Sequence, residues 1–196
     1  MFGKFFYKRA LKDKEFYFLL EKYEGDEVIA LDCETTGLDV LKDEILTIAA
    51  LKIKKNRIFL GSSFEAKIEP TNKIDAKSVE FHLLRDCDLK GARKPKEAIL
   101  ELLRFIRNRP IVGYYIEFDK KIISRYTKEL IGIPLLNSTI ELSSLYHKKY
   151  YSPFYGDVDL SFDAILKRLD IPNLGQHDAL NDALMSALIY LKLQYS

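Results

Sequence analysis

One stretch, residues 28–38, constrains this chain more than any other: V-I-A-L-D-C-E-T-T-G-L. An apolar run cut off by a glycine-containing turn reads as a buried strand. Side chains alternate between the faces of a strand, so Asp32 and Glu34 point the same way, and Cys33 points into the core, away from them. Residues two apart on one face lie roughly 6–7 Å apart at their Cα atoms. Two carboxylates that close, at the end of a buried strand, repel each other and lose hydration unless a cation sits between them. A divalent metal is the simplest answer.

The patterns that follow extend the strand into a sheet. Residues 45–54 and 57–69 read as two more strands, and the Lys54-Lys55-Asn56-Arg57 link is short enough for a hairpin. Three sequential strands of this kind form an antiparallel meander. Pro70 and Asn72 mark a turn, and 73–87 mixes patterns that assign to no single element. Pro95 then opens a helix with the stripe Ile99, Leu102, Leu103 and Ile106. A short apolar strand follows at 111–115, and Phe118-Asp119 opens a helix with Ile122, Ile123, Tyr126 and Leu130 facing inward. Residues 138–145 hold a short strand or a helix start. Phe162, Ile165, Leu166 and Leu169 mark a further helix, and the last spans 178–193 with Leu180, Ala183, Leu184, Ala187, Leu188 and Leu191 in register.

Strands first, then alternating helices and short strands, predict an α/β fold. Its mixed sheet combines a three-strand antiparallel meander with shorter parallel strands, flanked by helices, as in a ribonuclease-H-like core. Ahead of it, Phe16, Leu19, Leu20 and Tyr23 predict an amphipathic helix over 13–24. Residues 1–26 thus read as an N-terminal helical appendage to a domain over 27–196. A chain of 196 residues suffices for one substantial core, and its net charge of +2 requires any basic surface to be local. Two cysteines without metal-type spacing suit a reducing compartment. Lys4, Lys8, Arg9 and Lys12 interrupt any signal-like segment, and no apolar run approaches the roughly 18 residues of a membrane span. The expectation is a soluble, cytoplasmic protein with no membrane partner.

Three further residues could join the two acids. Asp119, Asp182 and His177 each admit a plainer reading: a helix-start acid, a solvent-facing acid on the last helix, and a loop histidine. Met185 and Ile189 beside Asp182 argue that its side of the helix is partly covered, which makes an unpaired carboxylate costly there. In one continuous helix His177 and Asp182 would lie about 140° apart, so a shared site requires His177 in the loop before it.

Taken together, D-C-E-T-T-G-L at 32–38, F-D at 118–119 and H-D-A-L-N-D-A at 177–183 resemble the DEDDh exonucleases. This family includes the proofreading subunit of bacterial replicative polymerases, ribonuclease T and oligoribonuclease. The resemblance covers roughly residues 27–194, so 27–196 is expected to be the exonuclease domain. It implies that Asp32, Glu34, Asp119 and Asp182 hold two divalent cations, Mg²⁺ or Mn²⁺, with Asp32 bridging both. It also implies that His177 takes a proton from the attacking water. The expected product is a nucleoside 5′-monophosphate from a 3′ end. Thr35, Thr36 and Leu38 would line the pocket of the terminal nucleotide, with Phe81 or His82 as a second wall. Where relatives often carry His-Asn, this chain has Tyr114-Tyr115, and Tyr115 could stack on a base or simply pack.

The expected substrate is a single-stranded or frayed DNA 3′ end, with RNA or short oligoribonucleotides as the alternative, and a non-catalytic nucleic-acid-binding module as the reading from another class. Ser196 directly follows the last helix, without the tail by which the replicative subunit holds its polymerase, so the expectation is a stand-alone nuclease or one recruited differently to a polymerase or repair partner. Basic residues cluster at 52–57, 90–96, 104–109, 120–121 and 148–149, and any of them could meet phosphates. The Tyr- and Lys-rich stretch 146–155 suits a single strand, and equally a tyrosine-rich loop over the core.

Overall fold

A computed structural model describes residues 2–74, 78–79, 83–151 and 157–195. Its sheet is built from β1 (Glu27–Thr35), β2 (Ile45–Lys54), β3 (Arg57–Lys67), β4 (Ile111–Gly113) and β5 (Thr139–Glu141). The strand order is β3-β2-β1-β4-β5. The first three strands form an antiparallel meander, and β4 and β5 add in parallel beyond β1. This is the mixed sheet the sequence predicts, with β1 at its centre.

Around it run α1 (Phe2–Ala10), a 3-10 helix (Lys14–Leu20), the single turn α2 (Asp86–Leu89), α3 (Pro95–Ile106), α4 (Ile116–Ile131), α5 (Leu142–Tyr150), α6 (Phe162–Arg168) and α7 (Ala179–Tyr195). The period of two in β1 divides the core. Ile29 and Leu31 face a layer made by the 3-10 helix, α3 and α4, with Phe16, Leu102 and Ile123 fully buried there. Ala30 faces the opposite layer, made by α5, α6 and α7, with Ile165, Ala183 and Ile189. Asp32 and Glu34 fall on the α7 side and Cys33 on the α4 side.

Several local expectations are corrected. The helix expected over 13–24 is 3-10 and ends at Leu20, although Phe16, Leu19 and Leu20 are buried as its spacing requires. Tyr23 lies outside it and accepts the Glu27 N–H on its hydroxyl. The strand expected over 111–115 stops at Gly113, because Tyr115 turns into the left-handed region (φ 57°) to start α4 two residues before Phe118. Both alternatives at 138–145 are realised, as β5 and then α5. The first part of the Tyr- and Lys-rich stretch is α5, with Tyr146 buried. On α7 the fully buried positions are Ala183, Met185, Ser186, Ala187 and Ile189, while Leu180, Leu184, Leu188 and Leu191 are only partly covered. Covered on several sides, this helix carries no clean stripe to read. Among the described residues, no helix is long and apolar enough to cross a membrane.

Candidate active site

The C-terminal half of β1 is left without a β4 partner, since pairing with β4 ends at Ala30–Val112. Gly113 allows the chain to leave the sheet at that point. A Cβ there would lie 2.8 Å from the Leu31 carbonyl oxygen and 3.0 Å from Ile116 Cδ1. The tight exit carries α4 across the end of β1. Glu141, at the end of β5, fixes the start of that helix by accepting the N–H groups of Tyr115 and Ile116, both at 3.1 Å. The same carboxylate accepts the Ser143 N–H at 3.2 Å and so starts α5 as well.

Three of the predicted residues converge here. Carboxylate oxygens of Asp32, Glu34 and Asp182 lie within 4.8 Å of one another. Asp182 enters from the first turn of α7, and its Oδ2 accepts the His177 N–H at 2.8 Å. Its Oδ1 is buried with no hydrogen-bond partner. A buried carboxylate oxygen without a donor is costly. Three hard oxygen donors around such an atom fit a divalent cation.

Asp119, almost fully buried on α4, lies outside this trio and lines the same cleft. It arrives from the opposite face of the sheet, where Cys33 is. The Cys33 thiol and backbone N–H both hydrogen-bond its carboxylate. Cys33 thus packs against the core and faces away from Asp32 and Glu34, as expected, and on that side it meets the fourth acid.

The charges record the crowding. Asp32 still lines the cleft, yet protein surrounds its carboxyl on enough sides that burial, followed by repulsion from Asp119, Asp182 and Glu34, pushes its pKa well above the usual range. Burial and then Asp182 and Asp178 push Glu34 to about 7. Burial pushes Asp119 to about 8 against the opposing Cys33 hydrogen bonds, and Asp182 to about 6 against the His177 N–H. Four carboxyls that resist ionisation at one place invite a cation that would hold them ionised.

His177 is exposed, in the left-handed region (φ 66°), in a loop before α7. It lines the same cleft of about 760 Å³. Asn181 Nδ2 steadies the loop by donating to the Leu174 carbonyl at 3.0 Å, and Asp178 caps α7 by accepting the N–H groups of Leu180 and Asn181. Thr35, Leu38 and Tyr115 also line the cleft, with Leu38 86% exposed and Tyr115 66% exposed. Thr36 does not line it, and its hydroxyl donates to Asp43 Oδ1 and accepts the Glu44 N–H, both at 2.9 Å. Phe81 and His82 lie outside the described residues.

Three contributors escaped the sequence reading. Arg125 donates to the carbonyls of Val40 and Asp43, tying the loop after β1 to α4. Nothing local in the sequence announces a contact across so many residues. Glu141 does leave a signal, an acid just before Leu142-Ser143 that could cap a helix. Cys33 escaped because strand alternation says which face it takes, not what crosses that face.

Comparison with known proteins shows the family and the fold. The model of a family described as exonuclease matches residues 29–190. The DNA polymerase III PolC-type of Thermotoga petrophila is 28% identical over 174 residues, covering 87% of this chain and 12% of that polymerase. The DNA polymerase III subunit epsilon of Aquifex aeolicus is 27% identical over 165 residues, covering 84% of this chain and 79% of that subunit. Among solved structures, a zinc-bound form of the E. coli exonuclease I complex with single-stranded DNA superposes with a TM-score of 0.75 at 14% identity, over 86% of this chain and 40% of that one. The chain therefore spans only a small part of the PolC-type polymerases.

Proposed function

The chain belongs to the exonuclease family that its residues 29–190 match, and from that premise we propose a 3′→5′ exonuclease that releases nucleoside 5′-monophosphates from single-stranded or frayed DNA. The observation that carries the mechanism is the meeting of Asp32, Glu34 and Asp182 around a buried, unpartnered Asp182 oxygen. In this proposal those three acids and Asp119 hold two divalent cations, Mg²⁺ or Mn²⁺. When bound, such ions neutralise charge on the scissile phosphate and acidify the attacking water. His177 accepts the proton of that water, and its exposed position in the cleft wall puts the imidazole within reach of a substrate. The His177 backbone is meanwhile held to Asp182. Leu38 presents an apolar surface to the terminal base and Thr35 lies beside its sugar. Thr36 contributes backbone shape to the same pocket, and the second-wall role of Phe81 or His82 is carried over from the family resemblance alone. Tyr115, its ring 4.5 Å from that of Tyr114, stacks on a base.

DNA is preferred as substrate because the relatives named above are DNA polymerases and a subunit of one. The same similarity supports a polymerase or repair partner. The division into a 1–26 appendage and a 27–196 exonuclease domain is retained within the proposal. The test is digestion of matched labelled DNA and RNA single strands with Mn²⁺ or Mg²⁺, with and without chelator. Mononucleotides released from the DNA 3′ end, lost with chelator and in Asp32→Ala or Asp119→Ala proteins that remain folded, support the proposal. No mononucleotide from any strand refutes it and revives a non-catalytic binding module.

A further inference from the structure

The cleft continues past the acids. Along α4 it opens into a second groove of about 880 Å³, and the two share Val40, Glu117 and Lys121. Beyond the shared part, Lys120, Arg125 and Lys128 line the groove together with Leu41 and one acid, Glu129, so its four cations outnumber its two carboxylates. Lys121, Arg125 and Lys128 follow one another at helical spacing and form a stripe on one side of α4. Leu41, like Leu38, is largely exposed, at 79%.

In three of the other basic clusters part of the charge is paired within the fold. Lys54 pairs with Asp26 and Glu27, Arg93 with Glu101, Lys94 with Glu69, Arg104 with Glu15 and Arg109 with Glu27. Those charges are spent within the fold. Among the described residues, no carboxylate lies within ion-pairing distance of the Lys120, Lys121 or Lys128 ammonium groups. Arg125 already braces the Val40 and Asp43 carbonyls, so it shapes the groove. The opening on the other side of His177 has the opposite character, with Lys67 outnumbered by Glu34, Glu65 and Asp178. A polyanion leaving the acids is repelled on that side and attracted along α4.

We propose that a single strand whose 3′ end sits at the acids leaves by the α4 groove. Its phosphates lie along Lys120, Lys121 and Lys128, and its bases pass over Leu38 and Leu41. The proposal rests on the exonuclease reading and adds the path of the strand behind the cut. On this path, affinity for a polymer beyond that for its terminal nucleotide comes from α4 rather than from the acids.

The test compares the parent with Lys120→Glu/Lys128→Glu, since neither lysine lines the cleft of the acids. Binding of oligothymidylate and oligouridylate long enough to fill the groove is followed by fluorescence anisotropy in chelator across a salt series. Hydrolysis of the same oligothymidylate, and of the p-nitrophenyl ester of thymidine 5′-phosphate, is followed with Mn²⁺. Loss of two phosphate contacts should shrink the slope of log affinity against log salt by about 1–1.5, for DNA and RNA alike. The KM for the oligonucleotide should rise about tenfold, while ester hydrolysis stays unchanged. An unaltered salt slope and KM overturns the path. So does a fall in ester hydrolysis equal to the fall on the oligonucleotide, because the effect then lies at the acids. A parent that cleaves neither substrate overturns the exonuclease reading instead, and anisotropy still decides the groove.

Discussion

Asp32 and Glu34 share one face of β1, and with Asp182 their carboxylate oxygens crowd within 4.8 Å of one another. Asp119 was legible as an acid at a helix start, but its partner was not. Which residue it meets depends on α4 arriving over the Cys33 face, and that crossing is set by Gly113 and Glu141. The elevated carboxyls give a prediction with a definite sign. Their folded-state pKa values lie above those of the unfolded chain, with Glu34 at about 7, Asp119 at about 8 and Asp182 at about 6. Between pH 4 and 8 or so the metal-free fold therefore binds more protons than the unfolded chain, and stability falls as pH rises through that window. In chelator the melting temperature should be higher at pH 5.5 than at pH 8. Adding Mn²⁺ should reverse the order, because cation binding requires the ionised carboxylates. A metal-free protein that gains stability between those pH values contradicts the crowding described above. At His177, replacement by alanine should lower turnover by about 10²–10⁴-fold, the usual worth of a positioned base, with Mn²⁺ affinity nearly unchanged. Full activity at neutral pH removes the histidine from the mechanism.

Among the elements, β2 and β3 were legible because alternation and a tight link leave few alternatives. α5 was hidden, since its two buried side chains, Leu142 and Tyr146, sit among lysines and tyrosines that read equally well as a loop. α7 was read as a helix with the wrong dominant face because apolar residues surround it. The element on which the site depends most is α4, and its placement is sensitive to one atom. Gly113→Ala puts a methyl 2.8 Å from the Leu31 carbonyl oxygen, so either β4 or α4 must shift. The expected cost is about 1–3 kcal/mol of stability. Activity at saturating substrate should fall by a larger factor than thermal stability alone explains, because Asp119 moves with the helix. Urea denaturation together with turnover checks this, and an active, equally stable variant refutes the account of the exit. Arg125→Ala should loosen the loop after β1 and raise KM more than it lowers kcat, since the arginine braces the loop that carries Leu38 and touches none of the acids.

For the molecule as a whole, the sheet brings carboxylates from both of its faces to one end of one strand. Asp182 comes from the α7 layer and Asp119 from the α4 layer, so the site is also a seam between two halves of the core. A cation bound across that seam should stabilise the entire fold, by about 2.7 kcal/mol at a hundred times its dissociation constant. Titrating Mn²⁺ against the melting temperature measures this. A flat response in the presence of all four acids refutes cation binding there. The α/β class and the meander were legible because they follow from the order of patterns. The division of the core was not, because it depends on which helices return to which face.

The N-terminal segment has a consequence of its own. Phe16 is fully buried in the α3–α4 layer, Glu15 pairs with Arg104, and the Lys12 N–H donates to the Ile131 carbonyl at 2.9 Å. At the end of α4, Gly132 lies so near the Ala10 carbonyl that no side chain fits between them. Lys12 also reaches the Glu129 carbonyl, 117 residues away along the chain. During synthesis the apolar stripe of Phe16, Leu19 and Leu20 must therefore emerge and wait for helices the ribosome has not yet made. A nascent chain halted before α4 should cling to chaperones or aggregate, and one released after it should not. The helix that carries Asp119 into the site is thus also the one whose arrival ends the chain's most exposed moment.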